Sequence, residues 1–218
     1  MRIVIAGGHG KIALLLEARL SADGHTVQGL LRRPDGADDL VAAGAEPVVF
    51  DLESATAEAL AEVIRGADAV VFAAGAGAGS TAERKYTVDL GGSVLLAEAA
   101  KLAGVRRFVQ VSSMGAGAPA APGSDPIWVA YIDAKTKAED DLRGRDLDWT
   151  IIRPGGLVDT PGLGLVHLAI TTGRGTVPRA DVADVLAEVI EQRAGIHQTL
   201  ELVSGSTPIS QAVAAWKG

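Results

Sequence analysis

The 218-residue sequence contains no cysteine, which excludes disulfides, thiolate metal sites and a cysteine nucleophile together. Aromatic residues make up 4 %, too few for a platform on which nucleic-acid bases would stack. Basic residues are outnumbered 20 to 27 by acidic ones, and the net charge of −7 is the wrong sign for a general nucleic-acid or acidic-membrane binder. The four histidines are scattered, with no HExxH and no i, i+4 pair, so no metal site is expected. No apolar run approaches the ~18–20 residues that cross a bilayer. Residues 1–8 lack the apolar core of a signal peptide. These absences predict a soluble, cytoplasmic protein with no nucleic-acid or membrane partner.

What is present is apolar residues (48 %) and 27 glycines, arranged as a repeated strand-then-helix pattern. Strands are predicted at 2–6, 26–31, 46–50, 69–73, 107–111, 149–153 and 199–203. Most are continuous Val/Ile/Leu/Phe runs, as strands buried on both faces of a parallel sheet must be. Helices are predicted at 11–22, 38–43, 55–65, 92–103, 128–143 and 180–193. Gly24, Gly44, Gly66 and Gly104 stand just past helical stretches, where a left-handed C-cap favours glycine. Strict alternation implies right-handed crossovers and an α/β, doubly wound, mostly parallel sheet of about seven strands.

Between the first strand and first helix lies Gly7-Gly8-His9-Gly10-Lys11-Ile12-Ala13. This G-x-x-G-x-x-A run is a variant of the dinucleotide fingerprint. Gly7 permits the tight turn, Gly10 lets backbone approach a pyrophosphate, and Ala13 keeps helix close to sheet. Free amides at the helix start would hold the anion. It is not a Walker A loop, because Ile12 follows Lys11 where Ser or Thr is needed. A Rossmann-type NAD site places an acid about 20 residues on; here Arg32 and Arg33 stand 19 and 20 residues after Ala13, without an acid at the strand end. Guanidinium groups suit a 2′-phosphate, so NADPH/NADP is expected over NAD. One domain is read over 1–218, with a cofactor-binding core at 1–153 and a small C-terminal substrate lobe at 154–218.

These residues, with those that follow, resemble the short-chain dehydrogenase/reductase superfamily, and within it the small atypical, NmrA-like or flavin-reductase-like members. Asp51-Leu52 is similar to the family's pair beside the adenine ring, and Ala73-Ala74-Gly75 to its segment against the adenosine ribose. Val88-Asp89-Leu90, Arg106-Arg107-Phe108-Val109 and Val111-Ser112-Ser113 resemble its fourth helix and fifth strand. Ile152-Arg153-Pro154-Gly155 resembles the segment after strand six, which implies a cofactor contact at Pro154. The resemblance covers roughly residues 1–160. It implies cofactor contacts at Gly7, Gly8, His9, Gly10, Lys11 and Ile12 as well.

Tyr131-x-x-x-Lys135 is the candidate catalytic pair, both side chains sharing one helix face. With two tyrosines and six lysines, such a pair is expected by chance only about 0.06 times. A free phenol titrates near 10, and a neighbouring ammonium favours its anion. The resemblance assigns Lys135 also to the nicotinamide ribose and a serine after strand five, Ser113, to the substrate oxygen. It implies an oxidoreductase that passes hydride to a small carbonyl, quinone or flavin-like acceptor. Two further readings share the N-terminal motifs: an NADP(H)-binding sensor, and a nucleotide-sugar epimerase or dehydratase. The latter usually needs a longer C-terminal lobe than the 64 residues after Pro154. Gly75, Gly77 and Gly79 are expected to form a mobile edge of the site. No exposed apolar helix face is separable from core by pattern, which leaves the oligomeric state open.

Overall fold

The structure is a computed structural model and describes residues 1–77 and 79–217. At its centre β1 (Arg2–Ala6) buries Ile3, Val4, Ile5 and Ala6 completely. Such a strand needs cover on both faces. Ile3 and Ile5 pack toward one helical layer and Val4 and Ala6 toward the other. Each fully buried branched side chain contributes about 1.5–3 kcal/mol.

Beside β1 run β2 (Thr26–Leu31), β3 (Glu46–Val49), β4 (Ala69–Phe72), β5 (Arg107–Val111), β6 (Asp148–Pro154) and β10 (Gln198–Ser204). All seven are parallel, in the order β3-β2-β1-β4-β5-β6-β10. These are the seven predicted strands, and the architecture is the expected doubly wound, Rossmann-type one. Among the described residues the sheet has nine strands rather than seven. β8 (Leu165–Ala169) adds antiparallel to β10, and β11 (Thr207–Pro208) adds antiparallel to β8. Burial alternates along β8, where Val166 and Leu168 are buried while Leu165 and His167 meet solvent. β7 (Gly156–Val158) and β9 (Thr176–Pro178) pair separately as a short parallel ribbon.

One face of the sheet is covered by α1 (Lys11–Ala22), α2 (Ala37–Ala42), α7 (Arg179–Glu191) and α8 (Ile209–Ala214). The other is covered by α3 (Ala57–Ile64), α5 (Gly92–Ala103) and α6 (Pro126–Arg143). α5 ends at Gly104 with φ +73°, as a left-handed cap requires. α6 starts where Asp125 accepts from the amides of Ile127 (2.9 Å) and Trp128 (3.1 Å), with Pro126 in the first turn. The short α4 (Ala82–Arg84) runs into a π-helical segment, Lys85–Gly91, ahead of α5. A π-turn carries one more residue per hydrogen-bonded ring and turns side chains relative to α-helical spacing.

The stretch after Pro154 does not stand apart as a lobe. β10 completes the parallel sheet and α7 lies beside α1. Buried Arg107 on β5 ties this part to the core. It donates to the carbonyls of Asp148 (2.7 Å), Val189 (3.0 Å) and Ala194 (2.9 Å) and to Thr150 Oγ1 (2.8 Å). Among the described residues no helix is long and apolar enough to cross a membrane.

Candidate active site

At the carboxyl ends of the parallel strands lies a cleft of about 1050 Å³, reaching from the phosphate loop to α6. Ligand sites in doubly wound sheets form at this edge. Gly7 adopts φ +86°, and a Cβ there would sit 2.5 Å from Ala74 Cα, so only glycine lets the turn press against the end of β4. The amides of Gly7 (3.1 Å) and Gly8 (2.8 Å) both donate to the Leu30 carbonyl, and that of Gly10 donates to the Gly7 carbonyl (2.9 Å). Gly10 caps α1 without a side-chain hydrogen bond, and the first turn of α1 holds no acidic residue. Orphan amides and the positive end of the helix dipole therefore face the cleft, an arrangement suited to a pyrophosphate.

Of the predicted loop contacts, Gly7, His9, Gly10 and Ile12 line the cleft. Gly8 does not: it packs against Gly29, and a Cβ there would lie 2.8 Å from Glu17 Oε1. Lys11 does not either. Its ammonium pairs with Asp159 (2.7 Å), a carboxylate that Arg179 also binds (2.6 Å). His9 lines the edge with Nε2 2.7 Å from Asp39.

Arg32, Arg33, Asp51, Leu52, Ala73, Ala74 and Gly75 also line the cleft. Glu53, absent from the expected set, gathers a cluster there. It accepts from Arg84 (2.7 Å), Thr87 (2.6 Å) and Arg32 (3.1 Å). The hydrogen bonds from Arg84 and Thr87 draw its carboxyl down to about 2, so it is ionised at every working pH. Arg33 lies on the rim, 3.6 Å from Asp35 and mostly exposed. Nothing in the spacing signalled Glu53, whose partners come from two other segments.

Tyr131 and Lys135 meet in the cleft on one face of α6, with Lys135 Nζ 5.8 Å from the Tyr131 ring centre. Lys135 is buried and paired with Asp89 Oδ1 at 3.2 Å. It also donates to the Val111 carbonyl (3.3 Å). Asp89 comes from the π-helical segment, and its other oxygen accepts from the amide of Ala76 (3.0 Å). From the same segment, Lys85 places Nζ 5.4 Å from the Tyr131 ring centre. The Trp128 ring lies 5.5 Å from that of Tyr131. The sequence resemblance includes Asp89 without assigning it to the site, and Lys85 lies outside the expected set.

Ser113 is not brought to the cleft. Its hydroxyl lies 3.3 Å from the Met114 carbonyl, and the serine that lines the cleft is Ser112. The reason is strand alternation: Phe108 and Val109 on β5 pack into opposite layers, and continuing that period turns Ser112 toward α6 and Ser113 away. Even Ser112 is engaged, its Oγ donating to buried Glu139 at 2.5 Å. Glu139 also accepts from Arg153 Nε (2.9 Å) and Arg143 (2.7 Å). Pro154 is buried at the end of β6 and accepts the Met114 amide (2.9 Å) without lining the cleft. From the predicted substrate lobe only Leu157 and Arg179, among the described residues, reach the cleft. Gly75 and Gly77 line it, while Ala78 in the same glycine stretch lies outside the described residues.

A family model described as NAD(P)H-binding matches residues 7–193. The uncharacterized sugar epimerase YhfK of Bacillus subtilis is 33 % identical over 98 % of this chain and 99 % of its own. The solved oxidoreductase ylbE of Lactococcus lactis is 27 % identical with a TM-score of 0.84, over 99 % of this chain and 96 % of that one. ChuY, an anaerobillin reductase of Escherichia coli O157:H7, is 25 % identical with a TM-score of 0.79, over 94 % of this chain and 97 % of that one. The glycine turn, the uncapped helix start and the length of the match agree, and the chain belongs to the NAD(P)H-binding family of Rossmann-type proteins.

Proposed function

We propose that the protein is an NADPH-dependent oxidoreductase that reduces a small carbonyl, quinone or flavin-like acceptor, with Tyr131 as proton donor. The observation that carries this is the meeting of Tyr131, Lys135 and Asp89 in the same cleft as the phosphate loop. Gly7, Gly10 and the start of α1 would hold the pyrophosphate, and Asp51, Leu52, Ala73 and Ala74 would line the adenosine. The reduced nicotinamide supplies the hydride. Tyr131 gives its phenolic proton to the acceptor oxygen as the acceptor's carbonyl carbon gains hydride. The Lys135 ammonium stabilises the negative charge left on the phenol oxygen, and Asp89 holds that ammonium in place. Solvent then returns the proton. In place of the serine expected to orient the acceptor, Ser112 keeps α6 anchored through Glu139.

The preference for NADPH rests on three guanidinium groups that line the cleft, Arg32, Arg33 and Arg84, of which Arg32 and Arg84 pair with the Glu53 carboxylate and Thr87 adds a hydrogen bond to it. An epimerase reading is suggested by the name of the Bacillus subtilis relative. It needs groups to hold a sugar nucleotide, and among the described residues the region after Pro154 offers the cleft only Leu157 and Arg179. The test is NADPH oxidation against a panel of quinones, flavins and small aldehydes, with NADH as competitor. Tyr131→Phe should lower turnover by about 10², the scale of a lost general acid. Turnover unchanged in that variant removes Tyr131 from the mechanism. Tight NADPH binding with no turnover across the panel would favour a cofactor sensor.

A further inference from the structure

Two ammonium groups line the cleft beside Tyr131, and among the described residues only one of them pairs with a carboxylate. Lys135 is matched by Asp89. Lys85 is 7 % exposed, yet among the described residues no carboxylate forms an ion pair with it. Its one hydrogen bond goes to a neutral group, the Gly77 carbonyl, at 2.9 Å. An ammonium has three donors, which leaves two without a protein acceptor among the described residues. A cation buried without an anion carries a desolvation cost that a bound anion relieves. Lys85 also stands 5.4 Å from the ring of Tyr131, beside the proposed site of chemistry. The same cleft carries open apolar wall: Trp128, whose ring lies 5.5 Å from that of Tyr131, Ile127 and Leu157 line it at 44 %, 42 % and 38 % exposure.

We propose that Lys85 determines specificity for an acidic acceptor: an apolar, ring-sized carbonyl compound that bears a carboxylate. The carboxylate pairs with Lys85, the ring lies against Trp128 and Leu157, and the reducible oxygen meets Tyr131. The charge of Lys135 is matched by Asp89, so beside Tyr131 Lys85 is the ammonium without a carboxylate partner among the described residues. This rests on the reductase reading, and deepens it by naming the substrate class.

The test is calorimetric titration of the NADP⁺-loaded full chain with 2-naphthoate and its uncharged analogue 2-naphthamide. Naphthoate should bind about tenfold tighter, the scale of one hydrogen bond to a charged group. Lys85→Met should bring the two within about twofold, and Lys85→Arg, which keeps the charge, should preserve most of the preference. NADP⁺ titration of each variant verifies that the cleft is formed. Equal affinities in the unaltered protein, absence of naphthoate binding, or a preference that survives Lys85→Met would overturn the proposal. A second arm compares NADPH-dependent reduction of 4-carboxybenzaldehyde with that of its methyl ester. Reduction of both at equal efficiency refutes the anion preference and leaves the reductase reading standing. Naphthoate binding that depends on Lys85, without reduction of either aldehyde or of any quinone, flavin or aldehyde in the panel, supports the anion site and refutes the reductase.

Discussion

Replacing Glu17 by methionine should stabilise the protein by an amount that grows with pH. Glu17 lies on α1 beneath the phosphate loop, fully inaccessible, and neither carboxyl oxygen has a hydrogen-bond partner among the described residues. Gly8 and Gly29 make the room: a Cβ on either would come within 2.8 Å and 2.4 Å of its Oε1. Burial pushes this carboxyl up from 4.5 to about 8. The native state therefore keeps the proton over a range in which the unfolded chain releases it. Stability is full below pH 4.5 and falls as pH rises toward 8, by about 1.4 kcal/mol per unit. At pH 7 the accumulated loss is about 3 kcal/mol, an order-of-magnitude figure. Methionine fills a similar volume and has no proton to lose. It also removes an unsatisfied polar group, a gain of about 1–3 kcal/mol at any pH. Urea unfolding of both proteins at pH 5 and pH 8 measures the difference. The gap should widen by roughly 3–4 kcal/mol between the two, most of the ~1.4 kcal/mol per unit available. A gap of equal size at both pH values would show that Glu17 has the same charge folded and unfolded, and the reasoning would be refuted.

Gly7→Ala should weaken NADPH binding by more than about tenfold in a fluorescence titration, since positive φ costs about 1–2 kcal/mol before the Cβ meets Ala74. Undiminished affinity would mean that the glycine turn does not shape the pyrophosphate site. Arg107→Met should cost roughly 3 kcal/mol or more in urea unfolding, because three carbonyls and Thr150 lose their buried donor. Burial lowers this arginine only to about 10, so its contribution should be constant from pH 6 to 8. Glu53→Gln frees Arg32 and Arg84 from an ionised partner and should raise the preference for NADPH over NADH about fivefold, measured as the ratio of the two dissociation constants. An unchanged ratio would place the 2′-phosphate elsewhere.

What could be read from the sequence is what one short segment determines by itself. β1 and β4, at the centre of the sheet, are buried on both faces, so each is apolar almost throughout and announces itself. β8 is covered on one face only, and β11 is two residues long, so neither carries that mark. The turn at Gly7 and the cap at Gly104 depend on one residue's freedom to adopt positive φ, and both stand where expected. Tyr131 and Lys135 share a face because four residues of α-helix put them there. The side chains around them follow a different rule. Asp89 reaches Lys135 across 46 positions of sequence, and Glu53 gathers Arg32, Arg84 and Thr87 from separate segments. No local period encodes such contacts. In the π-helical segment Lys85, Val88 and Asp89 turn inward at i, i+3 and i+4, yet that spacing does not say which side chains of other elements they meet. Ser113 failed for a related reason: the choice between neighbouring serines depends on strand register at the end of β5, and a shift of one residue reverses which face each presents. The glycine turn beside the cleft is built from backbone and was legible, whereas the Glu53 cluster was not. The acceptor end is built from charges brought together by tertiary packing, and there the structure supplied what spacing could not.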